Sequence, residues 1–511
     1  MNSRGLVFIV KLMKVTLAGY NIDSVVIEEL KKNNPPRKDI TPETLSASYA
    51  RISRDPRPAG ELRAVARAEV DRARKSNRNI IFKMGHHSVA EHAVFNFDIT
   101  GVSRLALEEI EKFRLCSYTE KSQRYIKLKD DFVVPNEVKK AGMQKIFVNT
   151  VKAQNALYHK LYDKLKPYIF DKHKELANHP KNHAVLDGWA KEDARYVVSL
   201  ATETQLGITL NARNLEFLIR RFSSKKLAEL RDLNREMYKL AKEVAPSIIL
   251  FTESNDYDAK TYPEMRKKAE VILGSDEKKG KGTVRLVSYT PEGDLKLLAV
   301  LLHTSSSLSY EACKEKARGL SDRDKEAFLK LAWQHMEFYD FALREFEYLD
   351  LQFDLIISAT CFAQLKRHRM ATLTSQPYNP DLGVTIPPSV EAVNSKTEFL
   401  EMIETTNDVY DLLCQKMKLG AEYILTNAHR KRVLFKVNVR ELYHISRLRE
   451  DLTAQWDVRL VVGEMVRQAK DVMPLACSLI GGKDIYPDIY KRIFGKLPKV
   501  SPPENLNRSP Y

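Results

Sequence analysis

The sequence predicts two tandem α+β halves packed as a pseudo-symmetric pair. Three observations predict this. Short segments recur in the same order in both halves of the 511-residue chain. Among them are alternating apolar and polar runs that read as strands. Between them lie long stretches of amphipathic periodicity that read as helix.

The repeats run in chain order. Lys14–Tyr20 matches Thr283–Tyr289, each an alternating strand that reaches a turn. Phe97–Ser103 matches Phe353–Ser358, with one residue fewer in the second copy. Thr209–Leu215 matches Lys436–Leu442. Ala241–Pro246 matches Ala469–Pro474, and in each a proline closes an amphipathic helix. The division predicted is a first half over 1–255, a polar linker over 256–282, a second half over 283–492 and a loose tail over 493–511. Helical pattern covers 143–165, 189–201, 223–244, 322–346, 397–425 and 451–473.

A net charge of +16 favours an anionic partner such as a nucleotide. The excess is spread along the chain rather than gathered in a stripe, which argues against nucleic acid. No apolar run approaches the roughly 18 residues of a membrane span. Leu6–Val10 is too short for a signal-peptide core, so a cytoplasmic protein is expected. Five scattered cysteines without a CxxC pair predict neither a disulfide framework nor a zinc site. His173, His179 and His183 fit no metal spacing and read as surface residues.

Three stretches carry candidate chemistry. Gln364-Leu-Lys-Arg367-His368-Arg369 follows the apolar run 355–362, so its cations gather at the end of a buried element. That suits an anion pocket, since the guanidinium is a planar, permanently charged donor fork. The competing reading is a solvated basic helix end. In the first half, Glu120, Ser122 and Arg124 alternate. On an extended segment they would share a face, offering an acceptor, a hydroxyl and a cation to a sugar phosphate. The plainer alternative is an edge strand with a polar outer face. Asn211-Ala-Arg213 and Asn438-Val-Arg440 recur late in each half. The simpler reading of each asparagine is a helix cap.

With Gly85-His86-His87-Ser88-Val89-Ala90-Glu91-His92, these motifs resemble those of the flavin-dependent thymidylate synthases. That family is similar in a GHxSxxEH-like stretch, an Arg-His-Arg triplet, a Glu-x-Ser-x-Arg-Tyr run and a late Asn-x-Arg followed by a nucleotide-binding Arg. The likeness covers most of both halves, one family domain in each. The departures are complementary. The first half keeps Glu120 to Tyr125 but has Lys112-Phe113-Arg114 for the triplet. The second keeps Gln364 and Arg367 to Arg369 but has Ser375, Pro377, Asn379 and Pro380 for the Glu-x-Ser-x-Arg-Tyr positions. It also lacks the GHxSxxEH stretch, for which His335 is a poor substitute.

The resemblance implies homotetramers with active sites between subunits. A fused chain that kept one composite site and dropped its mirror would show this decay. It implies conversion of dUMP to dTMP with methylenetetrahydrofolate, FAD and NADPH. Gln364, Arg367, Glu120, Ser122 and Arg124 would bind dUMP, and Arg449 would stand at the uracil edge as the catalytic cation. Arg221, or else Arg220, would be Arg449's first-half counterpart, because Asn211-Ala-Arg213 reads as having one residue fewer before its helix. His86, Ser88, His368, Arg369, Asn211, Arg213, Asn438, Arg440 and His444 would be the FAD candidates. No metal is expected, and a homodimer would equal the family tetramer. The alternative is a non-catalytic flavin- or nucleotide-binding relative.

Overall fold

The computed structural model describes residues 13–32, 40–274 and 283–501. The segment Leu6–Val10, positions 275–282 of the expected linker and the tail from 502 lie outside the described residues.

Each half is built on a four-stranded antiparallel sheet. The first comprises β1 (Lys14–Tyr20), β2 (Val94–Ser103), β3 (Ser117–Glu120) and β4 (Glu203–Asn211), in the order β1-β2-β4-β3. The second comprises β5 (Val284–Tyr289), β6 (Asp350–Ser358), β7 (Thr372–Tyr378) and β8 (Arg430–Asn438), in the order β5-β6-β8-β7. Alternation drives both sheets: Phe95, Phe97 and Ile99 on β2, like Leu351, Phe353 and Leu355 on β6, point into helix-covered cores. The two α+β halves read from the repeats are therefore present.

The residue that the second copy lacks is explained by Gly101. The register of β2 against β4 shifts between Thr100 and Val102, and Gly101 there has φ of 69°. It is a bulge residue in a conformation that glycine adopts without strain. β6 pairs with β8 without interruption.

The halves meet about a pseudo-twofold axis. Ser199 bridges Thr426, Leu200 N donates to Leu425 O at 2.8 Å, and Asn427 N donates to Val198 O at 2.9 Å. Two hydrophobic clusters draw side chains from both halves. Trp189 and Leu161 share one with Phe399 and Trp456; Phe147 and Leu105 share the other with Tyr378 and Tyr423. Helices Gln144–Lys172 and Lys396–Lys416 pack together, with Gln154 Nε2 donating to Thr406 Oγ1 at 2.9 Å.

Several helical expectations need correction. The pattern at 189–201 is helix His183–Ala194 followed by a 3₁₀ turn, Arg195–Val197. The pattern at 322–346 is α-helix only over Asp322–Leu331, with a 3₁₀ helix beginning at Arg344. That at 397–425 stops at Lys416. That at 223–244 is divided between Ala212–Ser223 and Ala228–Val244. The polar stretch read as linker contains helix Asp256–Leu273, capped by Asn255. No helix among the described residues is long and apolar enough to cross a membrane.

Candidate functional site

Strands β2 and β6 each end in a serine that builds the same frame on either side of the axis. Ser103 Oγ caps helix Arg104–Ile110, and Ser358 Oγ caps helix Ala359–Leu365. Each hydroxyl also donates to a buried carboxylate that takes a tyrosine from the opposite half. Ser358 reaches Asp457 at 2.5 Å, which accepts from Tyr196 at 3.0 Å. Ser103 reaches Glu229 at 2.7 Å, which accepts from Tyr423 at 2.7 Å. Counted from these serines, Glu109 corresponds to Gln364, Glu111 to Lys366, Lys112 to Arg367 and Phe113 to His368. The frames are alike and their contents are not.

Glu111 and Lys366 are counterparts that meet each other at 2.6 Å. Across a true twofold axis the same residue would face its own copy, with like charges in contact. A fused chain can place opposite charges there.

On one side of the axis, candidates from both halves converge. Arg367 Nη2 lies 2.9 Å from Glu120 Oε2 and 3.0 Å from Glu111 Oε1. Arg104 also pairs with Glu120. Arg449 Nε donates to His368 Nε2 at 3.0 Å, and its Nη2 donates to Gln364 O at 3.3 Å. Gln364 Nε2 donates to Gln455 Oε1 at 3.1 Å. Arg124 pairs with Glu192 at 2.5 Å and donates to Thr453 O of the other half at 3.3 Å. Burial, then the nearby Arg124 and Arg367 charges, depresses Arg449 to about 10. Gln364, Arg367, Arg449, Glu120, Ser122 and Arg124 thus surround one region between the halves.

The extended reading of Glu120, Ser122 and Arg124 is corrected. β3 ends at Glu120, and the chain turns over 123–125, with Arg124 N donating to Ser122 Oγ at 3.1 Å. A strand would have sent all three side chains to one face. The turn instead aims Arg124 at Glu192.

Motif reading missed Arg195. It lines a cavity of about 30 Å³ with Lys121, Ser122, Gln123 and Tyr158. It is 8% exposed, and its Nε and Nη2 have no hydrogen-bond partner; neither does Gln123 Nε2. Burial pushes its pKa down, partly offset by Glu192. Buried donors are almost always satisfied, so three free N–H-bearing nitrogens beside Ser122 mark a place for acceptor oxygens. The signal in the sequence is slight: one arginine ahead of Tyr196-Val-Val-Ser-Leu-Ala201.

The mirror side is filled from within. Phe113 and Phe222 pack with ring centroids 5.7 Å apart, where the other side has His368 and Arg449. Asn211 and Asn438 both cap their helices directly, accepting from Asn214 N and Glu441 N. Counted from these caps, the counterpart of Arg449 is Phe222, not Arg221 or Arg220. No residue is missing before the first-half helix, which is why the matching by later helices slipped by one. Arg221 and Arg220 instead pair with the buried Asp258 at 2.8 and 3.2 Å. Glu109 is held by Lys112 and by Lys225 at 2.6 Å; despite burial these cations pull its carboxyl to about 2. Tyr378 donates to Glu108 at 2.7 Å, and Lys431 pairs with the same carboxylate at 3.1 Å. Ser375 lies on β7, and Asn379 caps a short 3₁₀ turn.

The flavin candidates fall into two groups. Asn438, Arg440 and His444 belong to helix Val439–Arg449 or its cap, which at 1.5 Å per residue spans roughly 16 Å, and His368 packs against it. The ring centroids of His368 and His444 are 6.0 Å apart. A cavity of about 200 Å³ beside His444 is lined by Tyr339, Phe341, Tyr443, Arg440, Arg447 and Lys483. Arg447 Nη2 is buried there without a partner. Aromatic faces, cations and an orphaned donor suit a planar, anionic cofactor such as a flavin. Arg369 bonds Cys116 O and donates to Arg114 O at 3.3 Å, tying the triplet to the first half.

His86, Ser88, Asn211 and Arg213 gather elsewhere. Asn211 pairs with Val94 at the start of β2, whereas the composite region adjoins its end at Ser103. Arg213 pairs with Glu91 at 2.5 Å. The second half repeats this contact between Arg440 and Glu347, at 3.1 Å. The 3₁₀ helix Arg344–Tyr348, rather than His335, therefore stands where the first half has His87–His92.

Cys116, Cys313, Cys361 and Cys477 are buried. Burial pushes the Cys361 thiol far up, so no activated thiolate lies in the composite region. His183 bonds Ala177 O at 2.8 Å, and His173 packs on Trp189. Among the described residues, no group of three or more His, Cys, Asp or Glu could hold a metal.

A family profile described as thymidylate synthase complementing protein matches residues 38–247 and 285–475. The chain belongs to this family. Each matched region takes in most of one sheet, so the chain is a tandem duplication of the family domain. Flavin-dependent thymidylate synthase of Clostridium tetani is 32% identical over 217 residues, 41% of this chain and 82% of that protein. The Geobacter sulfurreducens protein of the same name is 35% identical over 173 residues, 33% of this chain and 65% of that one. A protein of Thermoplasma acidophilum, UPF0159 protein Ta1429, aligns over 488 residues at 24% identity, covering 85% of this chain and 94% of its own length. It therefore matches both family domains together. A solved UMP/dUMP methylase from Streptomyces cacaoi is 17% identical, covering 46% of this chain and 92% of that one, with a TM-score of 0.31, too low to carry an argument.

Proposed function

We propose that the chain is a flavin-dependent thymidylate synthase that methylates dUMP at one composite site per chain. The observation that carries this reading is the 2.9 Å contact between Arg367 of the second half and Glu120 of the first. It brings together the two motifs that survive in different halves. The relatives named flavin-dependent thymidylate synthase support the same reaction class.

In this reading Ser122, Arg124 and Arg195 receive the nucleotide phosphate, and the free donors of Arg195 are ready to bind it without reorganising. Gln364 and Arg367 hold the sugar end, with Glu120 orienting Arg367. Arg449 is braced by His368 and the Gln364 carbonyl, so its charge stays fixed at the pyrimidine edge. There it stabilises negative charge that develops on the ring. The partly buried pocket excludes water and strengthens these interactions. A bound FAD, reduced by NADPH, supplies the hydride and methylenetetrahydrofolate the carbon. Asn438, Arg440, His444 and Arg447 of one helix and its cap, with His368 packed against it, would hold it. The mirror frame, packed with Phe113 and Phe222, would hold neither ligand.

The test is dTMP formation from dUMP with FAD, NADPH and methylenetetrahydrofolate. Turnover abolished by Arg449→Ala is expected. A yellow protein that binds dUMP without forming dTMP would instead make the chain a non-catalytic relative.

A further inference from the structure

The bond from Arg449 Nε to His368 Nε2 has a consequence for the histidine. An arginine nitrogen can only donate, so Nε2 must accept. His368 is therefore neutral, with its proton on Nδ1, because an imidazolium would set N–H against N–H. Burial, then the charges of Arg449 and His444, holds its pKa well below the ordinary value, in agreement. How fully that tautomer is populated then depends on what Nδ1–H meets. Glu441 Oε1 lies 3.8 Å away, on the first turn of the helix that ends in Arg449.

Glu441 has little else to do. Its side chain is only 12% exposed, and its carboxyl takes no hydrogen bond among the described residues. It is the third residue of a helix capped by Asn438. Burial pushes its pKa up to about 7 against the pull of Arg440. In either protonation state it presents an oxygen that can accept from Nδ1–H. The first half has Asn214 at the equivalent place, with Phe113 and Phe222 where the second half has His368 and Arg449.

We propose that Glu441 is a positioning residue, which reinforces the Nδ1–H tautomer of His368 and so keeps Nε2 free to hold Arg449 at the substrate. A small closure from 3.8 Å completes the row Glu441, His368, Arg449 and the Gln364 carbonyl. Its role in turnover rests on the proposed function; its effect on the histidine does not.

The experiment is nitrogen-15 NMR of the full chain with labelled histidine, the His368 signal being assigned by its loss in His368→Asn. Wild type is expected to show a protonated Nδ1 and an unprotonated Nε2. Glu441→Leu is expected to lose that preference, whereas Glu441→Gln, which keeps an acceptor oxygen, retains it. In the methylation assay Glu441→Leu should lower kcat about tenfold, with a smaller change in the KM for dUMP and recovery in the Gln variant. A wild-type His368 protonated on Nε2, or a Glu441→Leu spectrum unchanged at His368, overturns the proposal. If no form of the chain makes dTMP, the functional reading fails while the tautomer result still decides this one. Should the Leu variant not fold, Glu441→Ala, which also removes the acceptor, makes the same comparison.

Discussion

Replacing Arg195 by Met separates a ligand-binding arginine from a structural one. A structural arginine has protein partners, and removing it strands them. Arg195 has none at Nε and Nη2, while its neighbour Glu192 keeps its pairing with Arg124 at 2.5 Å. Each buried unsatisfied polar group costs roughly 1–3 kcal/mol, and Met fills most of the arginine stem volume. Arg195→Met should therefore leave the unliganded chain as stable as wild type, or more stable by about 1–2 kcal/mol. Binding should move the other way. Loss of a charge-assisted contact to phosphate costs roughly 1.5–3 kcal/mol, a ten- to hundredfold weaker Kd for dUMP. Thermal unfolding without ligand and dUMP calorimetry on the same preparation read the two effects. A clear loss of stability with unchanged dUMP affinity would refute the reasoning, since Arg195 would then be serving the fold.

Arg367→Ala and Arg124→Ala should each weaken dUMP binding about ten- to hundredfold, with non-additive effects in the double variant, while Lys112→Ala and Asn379→Ala change it little; calorimetry on all five decides, and strict additivity counts against a shared ligand. Purified protein should carry about one flavin per chain, because the mirror frame is closed by Phe113 and Phe222; an absorbance ratio near two would contradict this. Two chains with two family domains each should form a twofold homodimer, and a sedimentation mass equal to one chain at micromolar concentration argues otherwise. Burial lowers His429, at the half junction, to about 4, below the ordinary histidine value. The unfolded chain binds this proton first, so stability from His429 is full above about pH 6.5 and falls by up to about 3 kcal/mol towards pH 4; His429→Asn should flatten the pH dependence of the denaturation midpoint in that window, and an unchanged slope would remove His429 as its cause.

The sequence by itself determined the duplication, the alternating strands and the complementary loss of motifs. These are legible because each is written in a short window: period two in β2 and β6, or a run such as Glu120 to Tyr125. It also offered helix capping as the alternative to flavin binding at Asn211 and Asn438, since that choice is local. What tertiary structure decided are contacts between distant residues. Arg367 and Glu120 are 247 positions apart, and no local pattern says that they touch. The orphaned donors of Arg195 are visible only once its burial is known. The counterpart of Arg449 turned on one residue of helical register, because the shared caps had to be located before Phe222 could be matched. The opposite charges of Glu111 and Lys366 look like unrelated substitutions along the chain. They become one interaction only when folding brings the two halves together about their axis, where equivalent positions meet.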